Sequence, residues 1–168
     1  MKPISIKIQT QYPNYSGRSG LYIAADVDGS GKLALMGLAC EIGLDAKAED
    51  LHCTVIWSDV AIPPEHLQWD NARFTGVCIE VKHWKGHNDK IYVVAAIQSE
   101  DLIRRNAQYT EMGANQTFLP YAPHITLGKL LAIEPHHIRA INAINKRLSA
   151  KPLELALSVG WPEDVKTD

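Results

Sequence analysis

Short segments rich in apolar and β-branched residues, some of which alternate with polar residues, recur along the chain and predict β-strands. These segments are Leu21–Val27, Leu51–Ser58, Phe74–Val81, Ile91–Ile97, the stretch that begins near His124, and Leu153–Trp161. The fourth segment is almost entirely apolar, as expected of a strand that is covered on both faces. The polar stretch HWKGHND, which separates the third segment from the fourth, predicts a hairpin.

Apolar residues at helical spacing predict three helices between these strands. One runs from about Lys32 to near Gly43, the second covers Ser99–Met112 with Ser99 as its N-cap, and the third begins at Pro135. The segment DGSGK lacks the full spacing of a Walker phosphate loop and is interpreted as a turn. Helices interspersed among strands without strict alternation indicate the α+β class.

The chain length of 168 residues fits one domain, residues 1–168, in which residues 1–20 form an N-terminal extension. Turn-forming residues are frequent in Gln11–Gly20, so an irregular connection is expected there. The order strand, helix, strand occurs from Leu21 to Ser58 and again from Ile91 to the segment at His124. This internal echo predicts two lobes related by a pseudo-twofold axis.

Composition narrows the class of protein. A net charge of -2 argues against charge-driven binding to duplex nucleic acid, which requires a basic face. The three cysteines, Cys40, Cys53 and Cys78, lie far apart and form no CxxC pair, which indicates reduced, buried thiols. No apolar run is long enough for a membrane span and the N-terminal residues lack a secretory signal, so a cytoplasmic location is expected.

Two segments carry the same His-x-Thr triplet, His52-Cys53-Thr54 and His124-Ile125-Thr126. Residues i and i+2 of a strand project to the same face, so each histidine projects together with its threonine. The other face is expected to be apolar and to pack on the core, with the residues Leu51, Cys53, Val55 and Trp57 in the first segment and Pro123, Ile125 and Leu127 in the second.

A single histidine on a strand is more often a hydrogen-bonded structural residue than a catalyst. Repetition in the two echoing halves, within matching apolar surroundings, favours a functional interpretation here. Two imidazoles on neighbouring strands could flank one phosphate, one accepting a proton and the other donating one, because histidine titrates near neutral pH. The hydroxyls of Thr54 and Thr126 could stabilise charge on the non-bridging oxygens. This chemistry needs neither a metal ion nor another cofactor.

Paired His-x-Thr motifs in strands, about 70 residues apart, resemble those of the 2H phosphoesterase superfamily, whose members are typically metal-independent phosphodiesterases. The resemblance extends from about Leu21 to Trp161. It implies the LigT-like 2H fold: two pseudo-symmetric antiparallel-sheet lobes with outer helices and a central cleft that carries both motifs.

The chain is most similar to the phage anti-CBASS phosphodiesterases. The segments that follow their pattern in order are LYIAADV, DLHCTVIWS, VKHWKGHNDKIYVVAAI, SEDLIRRNAQYTEMGA and FLPYAPHITL. Those enzymes hydrolyse 3′–5′ bonds in the cyclic di- and trinucleotides that bacterial CBASS immunity uses as alarm signals. The resemblance implies a cyclic di- or trinucleotide as substrate and, for a phage-encoded protein, action in the cytoplasm of the host cell.

The same resemblance implies roles for individual residues. His52, Thr54, His124 and Thr126 would be catalytic, Tyr22 would line the nucleotide pocket and Glu163 would contact a base. The family's tryptophan beyond that glutamate has no counterpart here, and Trp161 is the candidate to replace it. For these three binding residues the alternatives are an ordinary sheet aromatic (Tyr22), a cover for the sheet end (Trp161) and a solvated residue (Glu163).

Two other functions remain open on the sequence. One is a cellular 2H enzyme that opens 2′,3′-cyclic phosphates or cleaves 2′–5′ linkages in RNA. The other is a non-catalytic protein that sequesters nucleotides, although binding alone does not require two proton-transfer groups. Lys129, close behind the second motif, is either a cation near the phosphate or a solvated residue at the rim, and at most one of the adjacent Arg104 and Arg105 is expected to face the cleft.

Overall fold

The computed structural model describes residues 12–86 and 88–166, which form six strands, three α-helices and one short 3-10 helix. The strands are Leu21–Val27 (β1), His52–Ser58 (β2), Arg73–Lys85 (β3), Ile91–Gln98 (β4), His124–Leu130 (β5) and Leu153–Val159 (β6). The helices are Gly29–Ile42 (α1), Glu100–Glu111 (α2) and Pro135–Ala150 (α3), and the 3-10 turn covers Ala48–Asp50. None of these helices is long and apolar enough to cross a membrane.

All six strands belong to one antiparallel sheet that closes on itself in the order β1-β2-β5-β4-β3-β6. The long strand β3 closes it, since Arg73–Cys78 pairs with β6 while Val77–Lys85 pairs with β4. Helix α1 packs on α3, α3 packs on β3, and α2 packs on β2. Helices and antiparallel strands in one chain confirm the α+β class, whereas the division into two lobes stays a prediction.

The start of α1 corrects the interpretation of DGSGK as a turn. The Asp28 carboxylate accepts a hydrogen bond from the Gly31 N–H at 3.0 Å and caps a helix that begins at Gly29. An aspartate in extended conformation satisfies one of the free N–H groups of the first turn, so the helix begins three residues earlier than predicted. The other end is as predicted, because Gly43 adopts a left-handed φ of 89° that glycine tolerates best.

The other two helices begin where the sequence predicts. The Ser99 hydroxyl accepts from the Leu102 N–H at 3.3 Å and caps α2, and Pro135 occupies the first turn of α3. Before α3, the Glu134 N–H donates to Nδ1 of His137 at 2.9 Å. A histidine side chain in the first turn therefore accepts the N–H of the N-cap residue of α3.

The two strand-helix-strand units share a register detail that sequence alone does not reveal. In β1–β2, Ile23 pairs with Ile56 and Ala24 with Thr54, which leaves Val55 as an extra residue. In β4–β5, the step from Val93–Gly128 to Val94–Thr126 leaves Leu127 in the same way. Each His-x-Thr motif is thus followed by a β-bulge, and these matching bulges support a pseudo-twofold relation between the units.

Two expectations about buried residues are wrong. Trp57 was expected to face the core, but 38% of its surface is exposed. The bulge at Val55 reverses the alternation, so Val55 and Ile56 are both buried and Trp57 emerges on the opposite face. Among the cysteines, all three are free as predicted, but only Cys53 and Cys78 are buried; Cys40 is exposed on α1.

Candidate active site

The two His-x-Thr strands are neighbours in the sheet and are joined by one residue pair, Cys53 opposite Ile125. Both side chains are fully buried in the core. The flanking positions project to the other face, where this antiparallel register places His52 across from Thr126 and Thr54 across from His124. Each imidazole therefore has a threonine of the opposite strand as its cross-strand neighbour.

All four motif residues line one pocket of about 470 Å³, a volume typical of small-molecule sites. Their side chains are half-buried, so they are anchored by the sheet but accessible from the pocket. The other lining residues come from the segment between α1 and β2, from the end of β5 and from β4: Asp45, Ala46, Lys47, Asp50, Leu51, Leu127, Gly128, Lys129 and Tyr92. The structure thus brings both predicted motifs together in one site.

The orientation of His124 is fixed by the chain that precedes β5. Its Nδ1 lies 2.8 Å from the carbonyl oxygen of Ala122, and since a carbonyl can only accept, Nδ1 carries the proton. In the neutral ring, Nε2 therefore holds the lone pair. Trp84, from the end of β3, packs edge-on against the same ring with centroids 5.1 Å apart and planes at 84°. The backbone carbonyl and the indole together restrict the imidazole.

Side chains satisfy the backbone where the first bulge interrupts the ladder. The Tyr121 hydroxyl donates to the carbonyl of Thr54 at 2.8 Å, and Nδ2 of Asn106 donates to the carbonyl of Val55 at 2.8 Å. Burial raises the pKa of Tyr121, and it raises the pKa of the Cys53 thiol to about 12, so both groups remain protonated at neutral pH. They hold the motif strand in place without adding charge to the site.

Tyr22 and Glu163 lie beside the first motif. The Tyr22 ring packs edge-on against His52 with centroids 6.4 Å apart. Burial raises the pKa of the Tyr22 phenol, which the Thr54 side chain partly opposes. Tyr22 and Glu163 exchange two backbone hydrogen bonds of 2.9 Å, so the segment after β6 is fixed next to β1. Neither residue lines the pocket described above, but both are placed at its His52 side.

Trp161 is placed differently. Its ring stacks on Trp69 with centroids 4.3 Å apart and an interplanar angle of 24°, and half of its surface is exposed. The Trp69 indole N–H donates to the carbonyl of Gly160 at 2.7 Å, and Tyr12 packs edge-on against the Trp69 ring. Trp161 is not among the residues that line the pocket, and its stacking on a base stays a prediction.

Three cationic residues were considered from the sequence, and one of them, Lys129, lines the pocket. Neither arginine does: Arg104 forms an ion pair with Asp101, while Arg105 contacts Asp70 at 2.9 Å beside a separate cavity. The guanidinium of Arg105 lowers the pKa of Asp70. Lys129 is therefore the candidate with access to an anion in the pocket.

Sequence reasoning missed Trp84, Tyr92 and Lys47, all near the motif residues in the structure. Trp84 and Tyr92 are partners across the β3–β4 hairpin, so an accurate hairpin register would have placed them on one face. Within residues 12–86 and 88–166, no three His, Cys, Asp or Glu side chains form a group that could hold a metal ion.

Residues 19–155 match the family model described as "Anti-CBASS protein Acb1". The match covers most of the chain, so this protein belongs to the Acb1 family of anti-CBASS proteins, and the resemblance noted from its motifs is confirmed.

No curated protein matches the chain. Among solved structures, the crystal structure of E. coli LigT in apo form is similar, with 17% sequence identity and a TM-score of 0.47 over 70% of this chain and 77% of that one. Similarity at this level is too loose to support a conclusion about fold or activity.

Proposed function

We propose that this chain is a metal-independent phosphodiesterase that hydrolyses 3′–5′ bonds in cyclic di- or trinucleotides and thereby counteracts CBASS immunity in the host cytoplasm. The observation that carries the proposal is the convergence of His52, Thr54, His124 and Thr126 on one pocket. Membership of the Acb1 family supplies the biological context.

In the proposed first step, one imidazole accepts the proton of a ribose 2′-hydroxyl while its oxygen attacks the adjacent 3′-phosphorus. The new P–O2′ bond forms as the P–O5′ bond breaks, and the second imidazole, in its protonated form, gives its proton to the departing 5′-oxygen. The products of this step are an opened ring that ends in a 2′,3′-cyclic phosphate and a histidine pair with exchanged protonation states.

In the second step, water opens the cyclic phosphate. The histidine that is now neutral accepts a proton from water as its oxygen bonds to phosphorus, and the P–O2′ bond breaks. The histidine that is now protonated returns its proton to the 2′-oxygen, which leaves a linear 3′-phosphate and restores both residues. The pair supplies every proton transfer, so the scheme requires no metal-bound hydroxide.

In the proposed mechanism, the two threonines stabilise negative charge on the phosphate. Hydroxyl donors at Thr54 and Thr126, each across from a histidine of the other strand, would stabilise charge that develops on the non-bridging oxygens. Their positions are rigid because buried Cys53 and Ile125 anchor the two strands from behind. By resemblance, we assign Tyr22, Glu163 and Trp161 to base contacts.

The test is turnover of a substrate panel in EDTA, followed by mass spectrometry. The panel contains a 3′–5′-linked cyclic dinucleotide, a cyclic trinucleotide, a 2′,3′-cyclic mononucleotide and a 2′–5′ oligoadenylate. We expect cleavage of at least one cyclic oligonucleotide and loss of that activity in His52→Ala and His124→Ala. Turnover of only the last two substrates would indicate an RNA-processing enzyme, and stoichiometric capture without product would indicate a nucleotide-sequestering protein.

A further inference from the structure

The matching bulges allow residues of the two strand-helix-strand units to be equated. In β1, Tyr22 lies two residues before Ala24, the partner of Thr54; in β4, Tyr92 lies two residues before Val94, the partner of Thr126. Tyr92 is therefore the positional counterpart of Tyr22. The partner of Tyr22 is Trp57, whereas the partner of Tyr92 is Lys129, so a cation pairs with the tyrosine in the β4–β5 unit and a tryptophan in the β1–β2 unit.

The Lys129 side chain lies at the edge of the pocket, next to the Tyr92 ring. Its ammonium lies 5.0 Å from the centroid of the Tyr92 ring, a cation–π contact that orients the side chain. Both residues line the pocket that contains the motifs. Among residues 12–86 and 88–166, no carboxylate lies within 4.0 Å of this ammonium, whereas Lys47 contacts Asp45 at 3.3 Å and Lys82 contacts Glu80 at 2.8 Å.

The formal charges of the lining residues do not by themselves attract an anion. With neutral histidines, Lys47 and Lys129 are cancelled by Asp45 and Asp50. Anion binding must therefore depend on where each cation is placed, and in the described part of the chain no carboxylate lies within 4.0 Å of the Lys129 ammonium. A lysine in this state is a point charge available to a phosphate.

A cyclic dinucleotide carries two phosphates in one ring and has a twofold or pseudo-twofold axis of its own. If one phosphate lies between the two His-x-Thr motifs, the other must lie towards one of the two units. We propose that the β4–β5 unit binds it: the Lys129 ammonium, oriented by Tyr92, contacts the phosphate that is not being cleaved. This inference rests on the proposed function and adds a specificity element that a substrate with one phosphate cannot use.

The test compares Lys129→Gln and Lys129→Arg with Lys146→Gln, which removes the same charge from an exposed position on α3. KM and kcat are measured for a 3′–5′-linked cyclic dinucleotide at several salt concentrations. A linear dinucleoside monophosphate, which has one phosphate, serves as competitor, and its inhibition constant is measured for each variant.

For Lys129→Gln we expect a KM increase of about 5- to 10-fold, the range for a charge-assisted contact at a partly exposed rim, with kcat within about 2-fold of wild type. The slope of log KM against log salt concentration should decrease by about 1, while Lys129→Arg and Lys146→Gln stay close to wild type. The inhibition constant of the linear competitor should be unchanged.

Two results would overturn the assignment. One is a KM for Lys129→Gln within about 2-fold of that of Lys146→Gln, since a contact with phosphate cannot leave binding unaffected. The other is equal weakening of the linear competitor, which would place Lys129 at the cleaved phosphate. Failure of the proposed function is distinct from both, because the wild-type protein itself would then leave cyclic oligonucleotides intact.

Discussion

Cys53 and Ile125 face each other across the junction of β2 and β5 and form the one ladder pair between these strands. Both side chains point into the core, so the residues on either side of each point into the pocket. Residues with proposed catalytic roles thus alternate with core-anchoring residues along the same two short strands. Substitutions on the pocket face can be expected to change catalysis without unfolding the protein, which makes the proposed roles separable by experiment.

Replacing either histidine should strongly reduce turnover with little effect on folding. For His52→Ala and His124→Ala we expect kcat on a cyclic dinucleotide to fall by about 10²- to 10⁴-fold, the usual contribution of a proton-transfer group. Thermal unfolding midpoints should remain close to wild type because both rings are only half-buried. His66→Ala, in an exposed turn, is the control and should be fully active; wild-type rates in either motif variant would refute the two-histidine scheme.

The threonines should contribute through their hydroxyls rather than their shape. Thr54→Val and Thr126→Val keep a branched side chain and are expected to lower kcat by about 10²-fold, as the loss of one donor to a developing anion does. Thr54→Ser and Thr126→Ser retain the donor and should recover most of the rate. Steady-state kinetics at saturating substrate measure this difference, and equal rates for valine and serine variants would assign the threonines a structural role.

Features with a local origin could be predicted from the sequence. The short, mostly apolar run Leu21–Val27 predicts β1 with the bounds that the structure shows, and the His-x-Thr spacing places each pair on one face. Ser99 and Pro135 mark helix starts because a cap or a first-turn proline acts within a few residues of itself. These elements follow from periodicity and short-range hydrogen bonding.

Features that depend on a distant partner could not be predicted in the same way. The bulges at Val55 and Leu127 exist only relative to β1 and β4, so the exposure of Trp57 was missed. The approach of Trp84 and Tyr92 to the motif strands depends on the order β2-β5-β4-β3, which no local pattern encodes. The stacking of Trp161 on Trp69 likewise joins segments about 90 residues apart.

Tyr121 should matter for stability because it completes the hydrogen bonding of the bulged strand. Tyr121→Phe leaves the carbonyl of Thr54 with only the weak 3.8 Å contact from the Cys53 thiol, and the loss of the strong donor to a partly buried acceptor costs about 1 kcal/mol. Urea denaturation should show this decrease in the free energy of unfolding with an unchanged m-value. Tyr92→Phe is the matched control, since its hydroxyl has no hydrogen-bond partner within residues 12–86 and 88–166; equal stability of the two variants would contradict the prediction.

At the N-terminus of α3, one hydrogen bond requires the neutral form of His137. Nδ1 of His137 accepts the Glu134 N–H, so protonation of that nitrogen would break the contact. Burial and the neighbouring His136 lower the pKa of His137, and Glu134 opposes this change only in part. Since the unfolded chain has the higher pKa, it binds protons first as the pH falls.

The stability of the protein should therefore decrease on acidification through His137. The contribution is fully present above the unfolded pKa of about 6.5 and is lost as the pH falls through the lower folded value. His137→Gln retains a side-chain acceptor at the third helical position and cannot titrate in this range. Urea midpoints measured from pH 8 to pH 5 should be similar for the two proteins at the alkaline end, with the wild type falling below the variant at the acidic end. Parallel curves across the range would show that His137 remains neutral or that its contact with Glu134 contributes nothing to α3.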